Sequence, residues 1–416
     1  MRAQPPAVLP LRTAVREYDW GSPDAIPRLL GEAPTGRPVA ELWIGAHPGA
    51  PSHWVGGQLD DSADPDGAGQ GIALDALIAG DPVTLLGAAT AARFGRLPFL
   101  VKVLAPAKAL SLQVHPDLEQ ARAGFARENA AGVPLDARER NYRDDNHKPE
   151  LLCALAPTEA LCGFRPVGQT LDLLAALAEP TLDPLVALLQ EATDLAGPVR
   201  YLLELPPELA RQWVAAAAAA ARSRLDADPD HPWCRELGWV VRLAEQSPDE
   251  IGPVVALLLN LLRLAPGEAV FLAAGRIHAY LSGFGVEILA NSDNVLRCGL
   301  TTKHVDVPEL LRVATFTPDE PGYAPDVVSA DHTDYPVPVE DFLLSRYAVA
   351  GPLPLRSPGP TLLLCTAGAL TASGVPLGRG RAAFVPAGRE VVVDGEGELF
   401  RATVGPAVVG AASGPG

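Results

Sequence analysis

The sequence lacks a Cys-x-x-Cys pair, and its five cysteines (Cys153, Cys162, Cys234, Cys298 and Cys365) are scattered and odd in number. That pattern argues against both a disulfide framework and a thiolate metal site, and it fits the reduced thiols of a cytoplasmic protein. Positive charge is in short supply: 33 Lys and Arg stand against 50 Asp and Glu, a formal net charge of −17. A broad polyanion-binding face is not expected, so nucleic acid is not the partner, although a few local cations suffice for one small anion. Long apolar runs are missing as well. The most apolar helix candidate, residues 254–264, is interrupted by Asn260 and Arg263. It falls far short of the ~20 residues that cross a bilayer, so no membrane partner is expected. Residues 1–10 hold one Arg and three Pro but no apolar core of the signal-peptide kind. Absent too are a Gly-x-x-x-x-Gly-Lys phosphate loop, a His-Glu-x-x-His helix and a Gly-x-Ser-x-Gly elbow.

What is present is a chain of 416 residues, long enough for two or three cores. Its 39 Gly and 42 Pro are spread through the sequence and read as many turns. Up to residue 166, short apolar runs alternate with turns; 99–103, 110–115, 151–155 and 160–164 read as strands. Residues 56–71 are rich in Gly and Asp, and Asp64, Asp66 and Gly67 suggest a calcium loop. Its twelfth position is Ala73, where a bidentate acid is required, and the reading is rejected. Residues 167–264 read as helical, with an alanine run at 215–221 in a helix starting near Pro207. Ser247, Pro248 and Glu250 have the spacing of a helix start. Strand texture returns across 265–330 and 331–416. The fold class is therefore mainly β with an α insertion, as sandwiches or barrels.

Three segments carry candidate chemistry. In Ser111-Leu112-Gln113-Val114-His115-Pro116-Asp117 the alternation sets Ser111, Gln113 and His115 on one wall of a strand. Pro116 ends the strand, and Asp117 can cap a following helix. In Asn146-His147-Lys148-Pro149-Glu150-Leu151, Glu150 opens an apolar strand, an expensive place for a carboxylate without a partner or a metal. In Ala274-Gly275-Arg276-Ile277-His278 a glycine turn leads to a histidine at the start of a strand. One Gln, two His and one Glu from separate strands suit Zn²⁺ or another divalent first-row metal. Read singly, each histidine is as well explained as a core or turn residue; the joint pattern is what points to a metal.

These segments resemble the signatures of type I mannose-6-phosphate isomerase (phosphomannose isomerase). So do Tyr18-Asp19-Trp20-Gly21, Ala40-Glu41-Leu42-Trp43-Ile44-Gly45-Ala46-His47-Pro48 and Ser292-Asp293-Asn294-Val295-Leu296-Arg297-Cys298-Gly299-Leu300-Thr301-Thr302-Lys303. The matches keep the family's order across residues 10–315. The resemblance implies one zinc per chain on Gln113, His115, Glu150 and His278. It implies Arg297 as the active-site arginine, and Lys102, Ser111, Lys148, Glu287 and Lys303 as pocket residues, with Trp20 a candidate wall of the sugar site. It implies two cupin-like jelly-roll β-barrels and a helical domain. The metal-bearing barrel would comprise 1–166 and 265–330, the insertion 167–264, and a second barrel 331–416. Two departures stand out: Ala274 occupies a place usually held by Pro, which suggests a looser turn, and no His follows Gly388 in the corresponding C-terminal turn.

The implied reaction interconverts mannose 6-phosphate and fructose 6-phosphate through a cis-enediol. It needs a base near two carbons, a cation for the developing oxyanion and a cation for the phosphate. Arg297 suits the oxyanion, and Glu287 is the first candidate for the base, with Lys148 and His147 as competitors. Lys102, Ser111 and Lys303 are the candidates for the phosphate. Alternatives are a non-catalytic sugar-phosphate-binding cupin, an isomerase of another sugar phosphate, and an iron cupin acting on oxygen, against which the Gln ligand speaks. The expected partner is a small sugar phosphate and the expected state a monomer, with oligomers left open.

Overall fold

Two large sheets carry the molecule. The computed structural model describes residues 5–56 and 71–410, so the stretch weighed as a calcium loop lies almost wholly outside the described residues. A nine-stranded sheet runs Ala269–Leu272, Glu150–Phe164, His278–Ala290, Phe99–Leu104, Glu41–Gly45, Ala14–Arg16. Leu112–Val114 is attached to the third of these, Leu296–Gly299 to Leu112–Val114, and Leu259–Leu264 to the second. An eleven-stranded sheet is built mainly from the C-terminal strands, centred on Thr361–Ala372 and Arg389–Thr403.

Strand alternation decides what each face of the nine-stranded sheet does. Leu42, Ile44, Val101, Val103, Leu151, Cys153, Val286 and Ile288 turn to the back, where they share one core with Leu9, Leu344, Leu362, Phe384 and Phe400 of the other sheet. The alternate residues, among them Lys102, Glu150 and Glu287, turn to the front. The register confirms the pairing of faces: Lys102 lies opposite Glu287, and Trp43 opposite Lys102.

The helices of the insertion run from Val167–Leu177 through Cys234–Gln246 to the short Gly252–Val255. The alanine run lies in Pro207–Ala227, where Ala217, Ala218 and Ala221 are buried and let that helix approach its neighbours closely. This helical core continues into Leu112, Val114, Leu296 and Cys298, so the insertion backs the two strands that carry Gln113 and Arg297.

Three readings change. Residues 254–264 are not one helix: the helical turns end at Leu258, and Leu259–Leu264 is a strand paired with Glu150–Phe164. A short apolar run serves either state, and here an open sheet edge takes it. Ser247 does not start a helix; it closes Cys234–Gln246, and the next helix is Gly252–Val255. Leu9–Arg12 and His53–Trp54 fall within the segment assigned to the metal-bearing barrel, yet they pair into the C-terminal sheet.

Phe384 is fully buried between the sheets. Phe384→Ala is expected to destabilise the protein by about 3–5 kcal/mol through a cavity the sheets cannot close. A urea midpoint unchanged from that of the parent would show that the two sheets do not depend on a common core.

Candidate metal centre

Three side chains converge on the front of the nine-stranded sheet. His115 follows Leu112–Val114, Glu150 opens Glu150–Phe164, and His278 opens His278–Ala290. Their ligand atoms lie within 4.8 Å of one another, and all three residues are buried. Gln113 lies directly opposite His278, and Arg297 directly opposite Gln113, so both share that face. Local chemistry fixes the approach. The Gly275 N–H donates to His115 O at 2.9 Å, and Gly275 holds φ 80°. A Cβ there would stand 2.7 Å from Thr315 Oγ1, so the turn is closed rather than loose even with Ala274 in the usual place of Pro.

Hydrogen bonds select the imidazole tautomer. His115 Nδ1 donates to Asn294 O at 2.8 Å, and His278 Nδ1 donates to Arg276 O at 3.0 Å. Each Nε2 is thereby left as a lone pair aimed at Glu150, whose oxygens lie 3.4 Å from both. His115 Nε2, His278 Nε2 and Glu150 Oε2 are buried with no hydrogen-bond donor among the described residues. Burial pushes the His115 pKa down to about 4, which keeps the ring neutral. Burial works against the charge of Glu150, but His115 and Lys148, whose Nζ is 3.3 Å away, hold its pKa well below the usual range. Convergent acceptors with no donor repel one another unless a cation lies between them, so the donor set fits a divalent metal.

Beside this centre lies an acid–base layer. Lys102 Nζ is 3.6 Å from Glu41 and 4.0 Å from Glu287, and it stands 4.6 Å above the Trp43 ring. Burial opposes its charge, but Glu41 and Glu287 prevail and raise its pKa. Tyr280 donates its hydroxyl to Glu287 at 2.9 Å. Burial first, and the charge of Glu150 second, push the Glu287 carboxyl up to about 8. Lys102 is thus engaged by carboxylates, which leaves it poorly suited to a phosphate. Glu41 and Tyr280 belong to the site although sequence reasoning gave them no role; the signals were the place of Glu41 within a matched segment and that of Tyr280 two residues after His278 on the same strand.

The other rim is basic. Burial lowers the pKa of Arg297 and Lys303. Arg143 lowers both further, and Arg297 also lowers that of Lys303. Among the described residues none of these three side chains has an acidic partner. Arg143 also lines a cleft of about 300 Å³ with His47, Arg96, Asn291 and Asp293. His47 accepts from the Gly49 N–H at 3.1 Å, steadying its turn, and lies 3.4 Å from Asp293. His147 pairs with Asp341 at 2.9 Å. Trp20 packs beside the cluster of Leu104, Leu152 and Tyr280, while Ser111 is half-buried ahead of the Gln113 strand.

Donorless ligand atoms converging from three strands make this a β-sheet protein able to hold one divalent metal. A family model for phosphomannose isomerase type I, catalytic domain, matches residues 8–167. The mannose-6-phosphate isomerase of Escherichia coli (strain K12) is 39% identical over 404 residues, covering 94% of this chain and 98% of that protein. The Bos taurus protein of the same name is 32% identical over 424 residues, covering 92% and 94%. The crystal structure of mannose 6-phosphate isomerase from Salmonella typhimurium bound to fructose 6-phosphate and zinc superposes with a TM-score of 0.84. That pair is 37% identical, and the match covers 96% of this chain and 100% of that one. The chain belongs to the type I mannose-6-phosphate isomerase family.

Adding Zn²⁺ to metal-free protein is expected to raise Tm, with a stabilisation of about 2.7 kcal/mol at a hundredfold excess over Kd. Glu150→Gln and His278→Ala should each abolish both the shift and the bound zinc. Stoichiometric zinc in either variant, read by elemental analysis, would remove that residue from the ligand set.

Proposed function

We propose that this protein is a zinc-dependent isomerase that interconverts mannose 6-phosphate and fructose 6-phosphate through a cis-enediol. The observation that carries the reading is the set of donorless lone pairs on His115, Glu150 and His278, beside a carboxyl near neutrality and a basic rim without acids. Gln113, His115, Glu150 and His278 would hold the zinc, which supplies a Lewis acid for the substrate carbonyl.

This chain's own residues would do the rest. Glu287 is the candidate base. Its pKa of about 8 is matched to proton transfer near neutral pH, Tyr280 orients one oxygen, and Lys102 tunes its charge. Lys148, beside Glu150, and His147, turned toward Asp341, are the competitors. Arg297, opposite the Gln113 ligand, would stabilise the enediolate. The phosphate is best given to Lys303 with Arg143, cations that no carboxylate already satisfies, and Lys102 passes from phosphate contact to the acid–base layer. Ser111 remains a candidate for one further hydrogen bond, and Trp20 for a wall of the sugar site.

Architecturally, we read the nine-stranded sheet as a metal-bearing cupin jelly roll formed by residues up to 166 and from 259 to 330, with 167–258 inserted. The C-terminal sheet is read as a second cupin-like barrel completed by N-terminal strands. A cytoplasmic location accords with the free cysteines and with the absence, among the described residues, of a helix long and apolar enough to cross a membrane.

Purified protein is expected to convert mannose 6-phosphate to fructose 6-phosphate, to stop on chelation and to recover with Zn²⁺. Zinc-loaded, folded protein without turnover would favour a binding protein or another sugar phosphate. Arg297→Ala should keep its zinc and lose turnover by about 10²–10³-fold, the cost of one oxyanion donor; a near-normal rate would take it out of the mechanism. A base acts only when deprotonated, so kcat/KM should rise with pH through the Glu287 ionisation. Glu287→Gln should lose that limb and about 10²–10⁴-fold in rate. A wild-type pH profile in the variant would move the base to Lys148 or His147.

A further inference from the structure

The strand that carries Arg297 ends abruptly. After Leu296–Gly299 the backbone passes through Gly299 at φ 144° and Leu300 at φ 53°. A leucine in the left-handed region is strained, and such a residue persists only where its surroundings hold it. What holds it is Glu250, in the loop between Cys234–Gln246 and Gly252–Val255. One carboxylate oxygen accepts from the Leu300 N–H at 2.9 Å, and the other accepts from the Gly252 N–H at 2.8 Å. The two backbones are in contact. A Cβ on Gly252 would lie 2.4 Å from Leu300 N, and one on Gly299 would lie 2.8 Å from Gly252 Cα. Only glycine at both positions lets the carboxylate reach across. No cation pairs with Glu250 among the described residues, so its two oxygens serve backbone amides alone.

The anchored turn carries the basic rim on both sides. Arg297 lies two residues before Gly299 and faces the metal ligands, while Leu296 and Cys298 enter the helical core behind. Lys303 lies three residues after Leu300, and its N–H donates to Thr301 Oγ1 at 3.1 Å. Arg138 steadies the same loop by donating to Thr302 O at 2.6 Å. We propose that Glu250 is a positioning residue for the Arg297–Lys303 pair, and that through it the helical insertion sets the affinity for the phosphorylated sugar. The inference rests on the reading that this basic rim receives the anionic substrate.

The test compares zinc-loaded wild type, Glu250→Gln, Leu300→Gly and the double variant. Turnover gives kcat and KM for mannose 6-phosphate, and calorimetry gives its Kd. Glu250→Gln keeps one acceptor and nearly the same shape. It should raise KM and Kd about tenfold, the scale of one lost hydrogen bond, and lower kcat as Arg297 is released, with zinc content near that of wild type. Glycine adopts positive φ freely, so Leu300→Gly in the Glu250→Gln background should recover much of that loss. A Glu250→Gln protein with wild-type KM and Kd would overturn the proposal. So would a loss confined to kcat or Tm, or a raised KM that Leu300→Gly leaves untouched. Wild-type protein that binds mannose 6-phosphate without turning it over would defeat the isomerase reading, while the ratio of Kd values still decides the role of Glu250.

Discussion

Three lone pairs aimed at one point set the terms for the rest of the molecule. Nε2 of His115, Nε2 of His278 and an oxygen of Glu150 face one another in a dry pocket with no donor among them. Left free, the rings would rotate; the carbonyls of Asn294 and Arg276 hold them and fix hydrogen on the opposite nitrogens, while burial keeps the His115 ring neutral. The carbonyl of Asn294 needs support of its own. Its side chain donates to Asp144 O and Asn146 O and accepts from the Arg143 N–H at 2.7 Å. The segment leading to Glu150 and the segment leading to Arg297 are therefore tied together, and the ligand geometry depends on both.

The charge distribution follows from the same requirement. The net charge of −17 is that of the whole chain, yet the site separates its charges finely. Buried acids are each given a partner: Glu41 and Glu287 share Lys102, and Glu150 has Lys148. Among the described residues the cations of the opposite rim have no acidic partner, and in a partly dry cleft such cations hold an anion more strongly than exposed ones do. An acidic protein thus keeps a few cations free of acids beside a buried carboxyl whose pKa is pushed up to about 8.

What the sequence disclosed was local. The alternation through Ser111–His115 and the stop at Pro116 are visible in seven consecutive residues. So is the helix that follows, where Asp117 and Gln120 form a reciprocal cap. Glu150 stood out because a carboxylate at the head of an apolar strand demands a partner. What stayed hidden was settled by residues far away in the chain. Leu9–Arg12 pairs with Ala382–Val385 at the other end of the sequence, and no local pattern encodes that. Residues 259–264 become a strand because Glu150–Phe164 offers an edge. The flanking of Lys102 by Glu41 and Glu287, distant in sequence on both sides, was likewise hidden. Ser247 and Glu250 had the spacing of a cap, but Ser247 closes the preceding helix and Glu250 accepts from the N–H groups of both Gly252 and the distant Leu300.

Both large additions to the metal-bearing sheet then have one physical purpose. A strand with ligands on one face must bury its other face, or the front side chains are not held to the tenths of an ångström that a metal requires. The eleven-stranded sheet does this for Leu151, Cys153, Val286 and Ile288, which alternate with Glu150 and Glu287. The helical insertion does it for Leu112, Val114, Leu296 and Cys298, which alternate with Gln113 and Arg297. Each addition also sends one carboxylate around the edge of the sheet: Asp341 to His147 from the C-terminal side, and Glu250 to Leu300 from the helical side. Apolar backing fixes where the strands lie, and these two acids fix the loops at their ends. A change in either addition that leaves the ligands intact therefore reaches the site through backbone geometry rather than through the metal.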